Sequence, residues 1–211
     1  MTEWYRRKTW TKTDEEEFFA KLGRARKDGR AQYLKIQAIE LVETRDQGLL
    51  EIAESLLNKM LTEYPDDNFN KSSALHTLGD ISRLNGNLDK AIDFFKQAID
   101  FEVIYPKVQT NAYLDYSELI VKTGKINQFD IVQYILLERL PGLLFPVAKY
   151  KVCLLLSIIY NTKGKSDQAQ YYADLADQNA LADTSGLRYH KNLGVVKELD
   201  SWLESLVKRN K

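Results

Sequence analysis

Disulfides, metal clusters and charge of one sign are all missing from this sequence, and each absence removes a class of protein. Among 211 residues there is one cysteine, Cys153, so no internal disulfide can form and a reducing compartment, the cytoplasm, is the expected location. One cysteine and two histidines, His76 and His190, give no spacing from which a metal site can be assembled. The 30 Lys and Arg balance the 30 Asp and Glu, which argues against a general binder of nucleic acid or of a membrane surface. Dense apolar runs such as residues 152–160 fall well short of the roughly 18 residues that span a bilayer. The opening MTEWYRRKTW has no apolar core behind its basic residues, so no signal peptide is expected and the sequon Asn70-Lys71-Ser72 is read as a coincidence. Gly-rich phosphate loops, HExxH, CxxC and G-x-S-x-G are absent as well, and no catalytic residue, metal or cofactor is expected.

What remains is a globular composition, 44% apolar and 28% charged, in a chain long enough for a continuous core. Its most informative stretch is 72–102, which reads as two amphipathic helices about a turn at Asn85-Gly86-Asn87. The first helix carries Leu75, Leu78 and Gly79; the second carries Ala91, Phe95 and Ala98. Gly79 has no side chain, so a neighbouring helix can lie close against it. Ala91 and Ala98 shorten the contact on the facing helix, and Phe95 fills the space between. Gly86 suits the left-handed conformation that ends a helix, and Asp89 places a carboxylate in the positive first turn of the next. The joint spacing resembles the tetratricopeptide repeat, whose pattern is a large apolar residue, then Leu-Gly, then Ala-x3-Phe. Ser82 stands where that pattern usually has Tyr. The resemblance implies an all-α fold, a right-handed α-solenoid of antiparallel helix hairpins, and a non-catalytic binding function.

Taken in order, the chain is expected to form a single domain of this kind. Residues 1–30 supply an arm and an extra helix, with Trp4, Tyr5 and Trp10 tucked onto that helix. Its N-cap is read as Thr13, ahead of Asp14, Glu15 and Glu16, and its end as Asp28-Gly29. Hairpins follow at 31–65, 72–105, 110–143 and 148–181, and two capping helices, 187–197 and 201–207, fall within 183–211. In the first hairpin Ala53, Leu57 and Met60 take the places of Ala91, Phe95 and Ala98. The third departs most, with Phe129 and Gln133 where Ala and Phe belong, while Ala169, Ala173 and Ala176 of the last match well. Gly48, Gly86, Gly124 and Gly164 mark the turns at separations of 38, 38 and 40 residues. The family period is about 34, and Pro65, Pro106, Pro141 and Pro146 lie in the extra lengths between hairpins.

His76, Asp80 and Arg83 stand at i, i+4 and i+7 and so share one helix face. Asn111, Asp115, Glu118 and Lys122 form the corresponding line in the next hairpin, and Lys151, Leu154, Ile158 and Asn161 a more apolar one in the last. In tetratricopeptide repeats this face of the first helix lines a concave groove. The resemblance therefore implies that His76, Asp80, Arg83, Asn111, Asp115, Glu118 and Lys122 recognise a protein or peptide of mixed charge with an apolar anchor. The plain alternative is a solvated surface with intrahelical pairs. One subset of the family grips chaperone tails with Lys and Asn at the places of His76 and Asp80, so that clamp is not expected here. Three other functions fit single features: general-base work by a His76 oriented by Asp80, a dedicated inhibitor of the antitoxin or immunity kind, and nucleic-acid binding through Arg6, Arg7, Lys8 and the basic face at 24–30. Exposed Tyr and Phe could equally mark a homodimer surface.

Overall fold

A computed structural model describes residues 3–209. Among these residues there are ten α-helices, two single turns of 3-10 helix and no strand. Helices adjacent in sequence pack as pairs, the arrangement of a helical-repeat protein. Backbone contacts divide the chain into two compact units, Met1–Ala112 and Tyr113–Lys211.

The first unit comprises an N-terminal arm and helices α1 (Lys12–Arg24), α2 (Lys27–Val42), α3 (Gln47–Glu63), α4 (Lys71–Leu84) and α5 (Leu88–Ile104). The cap of α1 is Thr11 rather than Thr13. Its hydroxyl accepts from the Asp14 N–H at 3.2 Å, and the Asp14 carboxylate accepts from the Thr11 N–H at 2.8 Å, a reciprocal capping box. The helix ends at an extended Ala25, where the Arg30 guanidinium donates to the Gly23 and Ala25 carbonyls at 2.6 and 3.1 Å. Asp28 and Gly29 consequently open α2 instead of closing α1.

Between α2 and α3 the left-handed residue is Arg45, at φ 58°, and Gly48 lies inside the first turn of α3. The reason is the Asp46 carboxylate, which accepts from the Leu49 N–H at 3.0 Å and starts the helix before Gly48 is reached. Gly86, Gly124 and Gly164 do adopt the left-handed conformation at their turns. The pairs α2–α3 and α4–α5 pack tightly, and α3 also packs on α4. Ala53, Leu57 and Met60 are wholly buried, as are Ala91, Phe95 and Ala98, so the alignment of those two helices holds in three dimensions. Near the end of α5 the buried Glu102 carboxylate accepts from the Ser72 and Thr110 hydroxyls, each at 2.7 Å, and from the Thr110 N–H at 2.8 Å.

The second unit contains α6 (Ala112–Lys122), α7 (Phe129–Arg139), α8 (Pro146–Thr162), α9 (Ser166–Ala180) and α10 (Ser201–Leu206), with 3-10 turns at Ile126–Gln128 and Leu140–Gly142. Tyr116 donates to the Gln128 side chain at 2.8 Å, and the Arg139 guanidinium lies 5.4 Å from the Tyr113 ring centroid, joining α6 to α7. Every residue from 152 to 160 in α8 is buried. A helix apolar on all sides must be covered on all sides, and α7, α9 and α10 each pack against it.

Only one of the two expected capping helices forms. Residues 187–197 are a chain of turns in which Gly194 is left-handed, at φ 73°. The Gly194 carbonyl accepts from the Val147 N–H at 2.8 Å, meeting one of the orphan donors at the start of α8. A Cβ on Gly194 would fall under 3.0 Å from the Phe145 side chain. Close approach to α8, and not helix formation, is what this glycine serves.

Candidate functional site

In the first unit the site residues are placed by the repeat motif itself. Phe95, wholly buried, reaches α4 at Gly79, where an added Cβ would meet three carbons of its ring at under 3.0 Å. One turn to either side of Gly79, the His76 ring lies 5.4 Å from the Phe95 ring, and the Arg83 guanidinium 5.7 Å from it. Asp80 accepts from Arg83 at 2.6 Å. His76, Asp80 and Arg83 thus stand on one face, anchored from below by a single aromatic ring, and together line a hollow of about 380 Å³. Its opposite wall comes from α2 and the turn after it, with Ile39, Val42, Glu43 and Arg45. The hollow offers both signs of charge, an imidazole and an apolar strip. Asn111 is exposed and precedes α6 by one residue, so it does not share that helix face.

In the second unit, Asp115 is half-buried in the first turn of α6, and Glu118 and Lys122 are bonded to each other at 2.7 Å. Lys151 of α8 lies 3.6 Å from Glu118 and 3.4 Å from Asp200, while the Lys122 ammonium sits 5.0 Å from the Trp202 ring centroid. On the polar line of α6, Lys122 therefore meets Trp202, and Glu118 is tied to Lys151, which also meets Asp200. Asp200 is also the N-cap of α10, accepting from the Leu203 N–H at 3.1 Å. Sequence reading missed Asp200 and Trp202. The available signal was a capped Asp-Ser-Trp-Leu-Glu segment that offers an acid to Lys151 and a ring to Lys122.

The basic N-terminal arm is committed to its own fold. Trp4 packs against Phe18 and Tyr33, Tyr5 against Tyr33, and Trp10 against Phe18 and Phe19, with ring centroids 4.7–6.4 Å apart. Arg6 pairs with Glu3 and Glu40, Arg7 with Asp14 and Glu17, and Lys8 with Glu43. The wholly buried Gln37 holds the arm's backbone, accepting from the Arg7 N–H at 3.0 Å and donating to its carbonyl at 2.7 Å. Hydrogen bonds from the Thr11 N–H and hydroxyl, then the Arg7 guanidinium, lower Asp14 from 3.8 to about 2. Cys153 is buried, and desolvation raises its thiol to about 11, so it stays protonated at neutral pH.

Residues 72–102, the α4–α5 hairpin, match the family model of the tetratricopeptide repeat. No curated protein and no solved structure matches the chain. Among the described residues, no helix is long and apolar enough to cross a membrane.

Proposed function

Because the chain carries a tetratricopeptide repeat at α4–α5, we propose that it is a non-catalytic cytoplasmic adaptor that binds a protein or peptide on the polar faces of its first helices. The observation that carries this reading is the hollow between α2 and α4, where His76, Asp80 and Arg83 converge opposite Ile39 and Val42. An anion, a cation and an apolar strip in one concavity suit a peptide segment of mixed charge with one apolar side chain. Asn111, Asp115, Glu118 and Lys122 are proposed as further recognition residues in their own right.

Nucleic-acid binding through the arm is the weaker reading. The cations it needs are already held by carboxylates, and the aromatic rings that would stack on bases are packed on α1 and α2. Reversing charge at two partly exposed positions tests the proposal: Asp80→Arg with Lys122→Glu is expected to reduce capture of the bound partner at least tenfold while leaving the helical circular dichroism unchanged. Capture at the wild-type level by a folded double variant would place recognition on another surface.

A further inference from the structure

The second unit holds a helix the way a receptor holds a peptide. α10 has six residues, well below the ~12–15 at which an isolated helix becomes even marginally stable in water, so its surroundings must stabilise it. Those surroundings are specific. Leu203 is wholly buried and α10 packs on α8. Tyr150, itself 1% exposed, donates to Glu204 at 2.7 Å and accepts from the Asp200 N–H at 3.1 Å. Lys151 lies 3.4 Å from the Asp200 carboxylate, and Lys122 lies over Trp202. Beyond the helix, Arg209 bridges Glu204 and Asp177. An apolar side chain is thus inserted against an apolar helix, the capping acid and Glu204 are each held, and an aromatic ring meets a cation. No helix joins Ala180 to Ser201, so the segment reaches its seat through turns and single hydrogen bonds.

We propose that the α6–α8 surface of the second unit is a receptor for short helical segments with the order acid, spacer, aromatic, leucine, acid. Residues 200–204 fill it in cis, and a partner protein presenting the same chemistry binds by exchanging with them. This deepens the proposed adaptor function, on which it rests for the view that Glu118 and Lys122 face a recognition surface. Specificity comes from the pairing of Lys151 with the capping acid and of Lys122 with the ring. A tethered segment competes at an effective concentration of about 1 mM, so the resident helix sets a threshold that a free segment must exceed.

The test uses the full chain and a fluorescent peptide spanning residues 198–209. Full-length Leu203→Asp, whose own segment no longer seats, is expected to bind the peptide saturably and about tenfold or more tightly than the wild-type chain does. Full-length Asp200→Lys, which loses the pair with Lys151 but keeps Leu203, is expected to show a smaller gain and guards against misfolding of the first variant. Adding Lys151→Glu to Leu203→Asp should weaken binding about tenfold, and a peptide carrying Asp200→Lys should restore it. No gain in either variant, or equal binding by wild type and both variants, overturns the proposal. Neither arm alters Asp80 or Lys122, so the peptide outcome is read separately from the charge reversal that tests the adaptor function, of which only the Lys122→Glu half touches this surface.

Discussion

Gly79 and Phe95 tie the fold to the site at the scale of single residues. The same ring that fills the space left by a missing side chain also supports His76 and Arg83 one turn away. Gly79→Ala should therefore cost about 1–3 kcal/mol through overpacking, since the fully buried ring has no open space to retreat into. For a chain of this size that is a fall of roughly 2–4 °C in Tm per kcal/mol. Phe95→Ala should cost roughly 3–5 kcal/mol. The two should not add, because removing the ring removes the clash. A double-mutant cycle by thermal denaturation checks this; strict additivity, or a neutral Gly79→Ala, would mean that the two helices do not nest at this point.

Helices and their apolar faces were legible from spacing at the scale of elements, because burial of one face imposes the 3.6-residue period on the side chains that supply it. Boundaries were less legible where two signals compete. Thr11 and Thr13 are both plausible caps, each with an acid three residues on, Asp14 and Glu16, and it is at Thr11 that the box forms. Gly48 looks like a turn glycine, yet Asp46 starts the helix ahead of it and leaves the left-handed position to Arg45. At 187–197 a capping helix is expected from its place after the last hairpin, but Gly194 is used for contact with Phe145 and Val147. The arm yields a pH prediction. Asp14 has a folded value of about 2 against 3.8 in the open chain, so its contribution is complete above about pH 4 and is lost as the pH falls through about 2. A carboxyl carbon NMR titration should place the Asp14 midpoint near 2. A midpoint near 4 would mean that the box and the Arg7 pair do not hold the arm in solution.

For the molecule as a whole, the α4–α5 hairpin was recognisable from its residues alone, since Gly79, Ala91, Phe95 and Ala98 record a helix contact that few other side chains permit. The hollow was legible only in part. Periodicity places His76, Asp80 and Arg83 on one face, but the wall that Ile39, Val42 and Glu43 supply depends on how α2 packs beside α4, which spacing within one helix does not encode. A helix at 201–207 was legible but its seating was not, because six residues carry too little period to announce which face is buried and Asp200 marks only where the helix starts. The flank between α2 and α4 is the surface on which the adaptor reading rests. Photocrosslinking from a benzoylphenylalanine at position 76, compared with one at the exposed Asp100 of α5, measures occupancy of that flank directly. A discrete crosslinked protein from position 76 and none from position 100 is the expected result; crosslinking from position 100 alone would contradict it.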